Sequence, residues 1–139
     1  MHSIIIIMDE DNIKQIIEND PFLKYVGIKI LEIGEGRCKL SMGFRHEVTR
    51  SGGIMNGGAI STLADAAGGC AVVTVNGGKN QVTVELDVSF MRPIKTGPVI
   101  AEARVTKTGR SMSFADIDVY DGKGVKCATV KGIWYFVDF

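Results

Sequence analysis

Asp65 is the one carboxylate in a stretch that is otherwise apolar. From Ala59 to Val73 the other polar side chains are Ser61 and Thr62. That run is greasy around its whole circumference at helical spacing, which is the pattern of a buried helix. A carboxylate placed there is costly unless it finds a partner. Two readings are open: a hydroxyl or backbone amide from a neighbouring element holds Asp65, or the carboxylate serves as a general base or a nucleophile.

Asn56-Gly57-Gly58 opens the same helix. Asn56 is a good N-cap residue, and Gly57 and Gly58 would supply its first free N–H groups, where the helix dipole favours negative charge. With no side chain to obstruct approach, the Gly57 amide suits a carbonyl oxygen that becomes negative during acyl transfer. An ordinary capped helix start reads the same way, so the glycines gain meaning from Asp65. Gly57 and Asp65 are eight residues apart, roughly 12 Å at the helical rise, whereas catalytic groups work about 3 Å from their targets. One chain cannot bring both to one carbonyl. If both act, Gly57 of one subunit faces Asp65 of another across a two-fold axis, and the enzyme is an obligate oligomer.

The elements that must position these groups follow from periodicity. Ile13, Ile16 and Ile17 recur at helical spacing, and Asp20-Pro21 restarts a second turn that stops near Gly27, so residues 10–27 or thereabouts form a short helical flank. Strands are expected at about Ile28–Ile33 and Arg37–Phe44, joined by Gly34-Glu35-Gly36. The apolar helix is expected to end at a second triplet, Asn76-Gly77-Gly78, on a left-handed glycine cap. Beyond it the period becomes two, with Val82, Val84, Leu86, Val88 and Phe90 on one face and Thr83, Glu85, Asp87 and Ser89 on the other, until Arg92-Pro93 breaks the strand. Further alternating runs lie near Val99–Thr106, Ser111–Tyr120 and Val125–Val137. The fold class is α+β: one antiparallel curved sheet wrapped around a long central helix, because only a curved sheet covers a helix that is apolar on every side.

The 139 residues suit a single domain spanning 1–139. Sixteen basic and sixteen acidic residues leave the chain formally neutral, which argues against a nucleic-acid or membrane-surface partner. The isoleucine run Ile4–Ile7 is too short for a signal-peptide core and is followed by Asp9, Glu10 and Asp11, so the expectation is a cytoplasmic protein without a transmembrane span. Cys38, Cys70 and Cys127 have no metal-ligand spacing and read as small buried hydrophobes. No metal site and no phosphate loop is expected.

Taken together, Asn56-Gly57-Gly58 with Thr62-Leu63-Ala64-Asp65, Val82 to Pro93, and Gly109-Arg110-Ser111 resemble the hotdog-fold acyl-CoA thioesterases, and among them the phenylacetate-degradation type, over about residues 20–137. The resemblance implies that Gly57 donates its N–H to the thioester carbonyl and that Asp65 of the partner subunit activates water or attacks that carbonyl. It implies that Thr83 helps to place the carboxylate or the water. It further implies that Lys107, Arg110 and Ser111 meet the pantetheine and phosphates of coenzyme A, with Gly58 beside the thioester. Thr83 reads equally as an ordinary strand residue, and Lys107 as part of a solvated hairpin. Such relatives commonly carry histidine where Asn56 stands and an amide residue where Arg50 stands. Asn56 can cap the helix and donate one hydrogen bond but cannot shuttle a proton. Arg50 brings a fixed charge that could hold an oxyanion or a substrate carboxylate, or could pair with a surface acid.

The function expected on these grounds is hydrolysis of an acyl-CoA to the free acid and coenzyme A by a homodimer or homotetramer with its active site at the subunit interface. No cofactor is expected, coenzyme A entering as part of the substrate. A catalytically silent acyl-CoA binding protein and a hotdog acyl dehydratase are the alternatives, the latter needing His46 beside a carboxylate. The acyl group depends on how Phe22, Tyr25, Leu63 and the partner subunit pack.

Overall fold

The computed structural model describes residues 9–139, so the isoleucine run at 4–7 and His2 lie outside the described residues. Asp9 accepts the Asn12 N–H at 2.8 Å and starts α1 (Glu10–Asn19), which buries Ile13 and Ile17. Asp20 then caps α2 (Pro21–Tyr25), its carboxylate accepting from the N–H groups of Phe22 and Leu23 at 3.1 and 3.0 Å, with Pro21 at the first helical position. Gly27, at φ 80°, turns the chain out of the flank.

Six strands form one antiparallel sheet: β1 (Ile28–Gly34), β2 (Arg37–Met42), β3 (Asn80–Phe90), β4 (Val99–Thr108), β5 (Met112–Tyr120) and β6 (Lys126–Val137), in the order β1-β2-β4-β5-β6-β3. The long helix α3 (Gly57–Val73) lies against β2, β4 and β5. Leu63, Ala64, Ala67 and Ala71 on its inner side join Leu40, Ile117, Val119 and Val130 in the core. Small residues let the helix come close: a Cβ at Gly68 would stand 2.7 Å from Trp134 Cζ2. Among the described residues no helix is long and apolar enough to cross a membrane.

Three local expectations are corrected. First, α3 is not buried on every side. Thr62, Asp65, Ala66, Gly69 and Val73 are only partly buried, a stripe at helical spacing that the sheet does not reach. Secondly, α3 ends at Val73, short of the second glycine triplet. The Thr74 hydroxyl donates to Ala71 O at 2.7 Å and accepts the Gly36 N–H at 2.7 Å, tying the helix end to the β1–β2 turn without a left-handed cap. Asn76 instead organises a loop, accepting the Gly78 N–H at 2.9 Å and donating to Lys79 O at 2.8 Å.

The third correction concerns β3. Its pairing with β6 shifts between Thr83 and Glu85, so that Thr83 faces Trp134 and Leu86 faces Gly132, leaving Val84 as the extra residue of a β-bulge. Unbroken alternation would put Val82 and Val84 with Leu86 on the inner face. The bulge reverses the faces: Thr83 turns toward α3, while Val82 and Val84 stay 36% and 56% exposed on the edge strand.

Candidate active site

Asn56, in extended backbone at φ −62° and ψ 133°, accepts hydrogen bonds from the N–H groups of Gly58 at 2.7 Å and Ala59 at 3.3 Å. The expectation of two free glycine donors is therefore corrected: the Gly58 N–H is occupied by the cap. The Gly57 N–H has no partner among the described residues. Phe90 at the end of β3 lies beside it, since a Cβ at Gly57 would stand 3.4 Å from the ring.

Gly57 lines a depression of about 320 Å³ together with Arg50, Phe90, Met91 and Arg92. The Arg50 backbone is held by the Ile54 carbonyl at 2.8 Å, and its guanidinium donates to the Ser51 carbonyl. No acidic side chain pairs with Arg50 among the described residues, whereas nearby Arg45 pairs with Glu47. The surface-pair reading of Arg50 is thus not what the structure contains. Arg50 lines the same depression as Gly57.

Asp65 is half-buried rather than fully buried, because it falls on the open stripe of α3. One carboxylate oxygen accepts the Thr83 hydroxyl at 2.6 Å. Both readings of Asp65 thereby meet in one contact: a neighbouring hydroxyl holds the carboxylate, and it holds it facing a cleft of about 540 Å³. The cleft runs between the α1–α2 flank, α3 and the start of β3. Lys79 and Gln81, which carried no signal in the sequence beyond standing just before Thr83, line it too. Gln81 donates to Gly69 O at 2.9 Å and accepts from Asn76 at 2.9 Å, fixing the β3 start against α3.

The structure therefore gathers the expected residues into two groups at different points along α3. Arg50, Asn56 and Gly57 stand at its N-terminus and Asp65 with Thr83 two turns on. Lys107, Arg110 and Ser111 are exposed and line neither cavity, but the Arg110 carbonyl accepts from Lys79 Nζ at 3.1 Å, placing the β4–β5 turn at the rim of the Asp65 cleft. Lys79 Nζ also sits 5.3 Å from the Phe136 ring centre. Of the residues expected to shape the acyl site, Phe22 lines the cleft, Leu63 is wholly buried in the core, and Tyr25 is exposed and lines neither cavity.

Other chemistry finds no footing. His46 is exposed and lines neither cavity, so among the described residues no histidine stands beside Asp65. All three cysteines are free and buried. The neighbouring Cys70 thiol, then burial, push the Cys38 thiol far above the usual range, and burial raises that of Cys127. No group of side chains suited to a metal ion occurs among the described residues.

Residues 52–128 match the model of the thioesterase superfamily. A protein of Thermoplasma acidophilum named "Putative esterase" is 36% identical over 127 residues, covering 91% of this chain and 96% of the relative. The fold matches that of a thioesterase family protein from Silicibacter pomeroyi, with TM-score 0.86 at 24% identity over 91% of this chain and 96% of that one. It also matches the phenylacetic acid degradation protein of Thermus thermophilus, with TM-score 0.75 at 24% identity over 85% and 100% of the two chains.

Proposed function

The chain belongs to the thioesterase superfamily and is a thioester hydrolase, and on that premise we propose that it cleaves acyl-CoA thioesters at a site shared between two subunits. The observation that carries this reading is the division of the machinery: an unpartnered Gly57 amide beside Arg50 in one depression, and an Asp65 carboxylate aimed by Thr83 in another. Neither half holds both an oxyanion donor and a base.

The course of β3 supports a two-fold solution. It runs antiparallel to α3, with Phe90 beside Gly57, Thr83 beside Asp65 and Gln81 beside Gly69. As the edge strand among the described residues it offers one row of free backbone groups. Pairing β3 with a second β3 about an axis near Ser61 and Leu86 carries Gly57 of the partner subunit to Asp65. The oligomer is a dimer of this kind or a tetramer containing it.

In this site the thioester carbonyl oxygen accepts the Gly57 N–H of one subunit, with the α3 dipole and the Arg50 guanidinium stabilising the charge that develops there. Asp65 of the other subunit takes a proton from water as the water oxygen bonds to the acyl carbon. Collapse of the tetrahedral intermediate breaks the C–S bond, and the proton passes to the departing thiolate. Alternatively the Asp65 carboxylate attacks the acyl carbon directly, the C–S bond breaks to release the coenzyme A thiolate, and water then hydrolyses the resulting anhydride and supplies the proton the thiolate takes up. Turnover in oxygen-18 water separates the two, since attack of water on the aspartyl carbon of an anhydride leaves label in Asp65 and the general-base route never does.

No resident cofactor enters this chemistry. Lys79, Lys107, Arg110 and Ser111 at the rim of the Asp65 cleft supply positive charge and hydrogen bonds for the phosphates and pantetheine of coenzyme A. A cytoplasmic location suits this substrate and three unpaired cysteines. The shared site is tested by mixing inactive Asp65→Asn subunits with inactive Gly57→Val subunits. Random reassortment leaves one intact site in every hybrid dimer, so about a quarter of wild-type activity is expected to return. No recovery after verified subunit exchange refutes sharing.

A further inference from the structure

Resting on the acyl-CoA reading above, we propose that the acyl group lies between the α1–α2 flank and α3, and that Ile16 and Phe22 set its chain-length preference. Both side chains line the cleft that holds Asp65, yet they are 52% and 56% exposed. Two large apolar groups on consecutive helices thus face a common space instead of the core, an arrangement favourable only when something apolar fills it. The cleft, at about 540 Å³, is of small-ligand size.

Its walls divide by polarity on either side of Asp65. Toward the flank lie Ile16, Phe22 and Leu23, facing Ala66 and Val73 of α3, with the Asp20 carboxylate there taken up by the α2 cap; toward β3 lie Lys79, Gln81 and Thr83. An acyl-CoA divides the same way about its thioester carbonyl, with a hydrocarbon arm on one side and a polar, anionic arm on the other. With the carbonyl at Asp65, the hydrocarbon arm fits the flank and the coenzyme arm fits Lys79 and the Arg110 turn. Phe22 is placed by its backbone, because Asp20 holds its N–H at the start of α2.

The test is kcat/KM of wild type, Ile16→Ala, Phe22→Ala and Tyr25→Ala on acetyl-, butyryl-, octanoyl- and phenylacetyl-CoA. Ile16 and Phe22 are more than half exposed, so their replacement leaves the fold intact, and circular dichroism checks this. Each of these two variants is expected to lose about tenfold on octanoyl-CoA and about twofold or less on acetyl-CoA, whose methyl group ends short of the flank. Tyr25→Ala, 74% exposed and off the cleft, is expected to match wild type at every length. Equal losses at all lengths, or none, overturn the acyl assignment while leaving the thioesterase reading in place. A folded wild type that hydrolyses none of the four overturns the acyl-CoA reading, and the assignment with it.

Discussion

The contact between Thr83 and Asp65 concentrates the residue-scale chemistry, since one hydroxyl lessens the cost of a half-buried carboxylate that lines the cleft. Asp65→Asn keeps shape and polarity but removes basicity and nucleophilicity, so kcat is expected to fall at least about a hundredfold while binding of acyl-CoA, followed by calorimetry, persists. Wild-type turnover in that variant would return Asp65 to a structural role. Thr83→Val removes the hydroxyl at constant shape and is expected to lower kcat about tenfold, whereas Thr83→Ser should stay within about threefold. Identical kcat in the two would show that the hydroxyl does not position the base. Asn56 spends its side-chain oxygen on the cap, so Asn56→Ala is expected to cost about 1 kcal/mol in urea denaturation.

At the scale of elements, α3 and β3 work as one unit. The helix carries glycine where Trp134 of β6 presses against it, and a methyl group at Gly68 has no room beside the indole. Gly68→Ala is therefore expected to destabilise by about 2–3 kcal/mol through overpacking, despite its better helix propensity. A denaturation midpoint at or above wild type would show that the indole yields freely. The bulge at Val84 gives β3 its second function. Without it, Thr83 would face outward and Asp65 would lack its donor. Alternation in the sequence showed the strand and its length well. A one-residue irregularity left no mark there, because Val84 suits either a regular or a bulged strand.

For the whole molecule, β3 is an edge strand among the described residues and lies beside the open stripe of α3, so one two-fold contact along that edge would bring a second subunit to Asp65. Light scattering is expected to find a dimer or a larger even assembly, and specific activity should fall on dilution below the dissociation constant. A monomer with undiminished specific activity would refute the shared site. The opposite surface of the sheet is built for water. Lys39 bridges Glu32 and Glu102, and Arg104 bridges Asp116 and Asp118, at 3.3–3.7 Å, with Glu32, Glu102 and Arg104 exposed and Lys39, Asp116 and Asp118 partly buried. Such pairs contribute little to stability and keep that surface polar.

The sequence by itself determined the order of the elements, the Asp20 and Asn56 caps, the burial of the cysteines and the distance that separates Gly57 from Asp65. These are local matters of periodicity, cap chemistry and helical rise, and each is written in a few adjacent residues. Tertiary structure alone decided that Asp65 lies on an open stripe, that Thr83 turns inward, that Thr74 rather than a glycine closes α3, and that Lys79 stands at the cleft. Each of these depends on which surface of one element another fails to cover, or on a register shift between strands about fifty residues apart along the chain. Contacts over that separation are set by the packing of the whole sheet against the helix, and no local pattern encodes them.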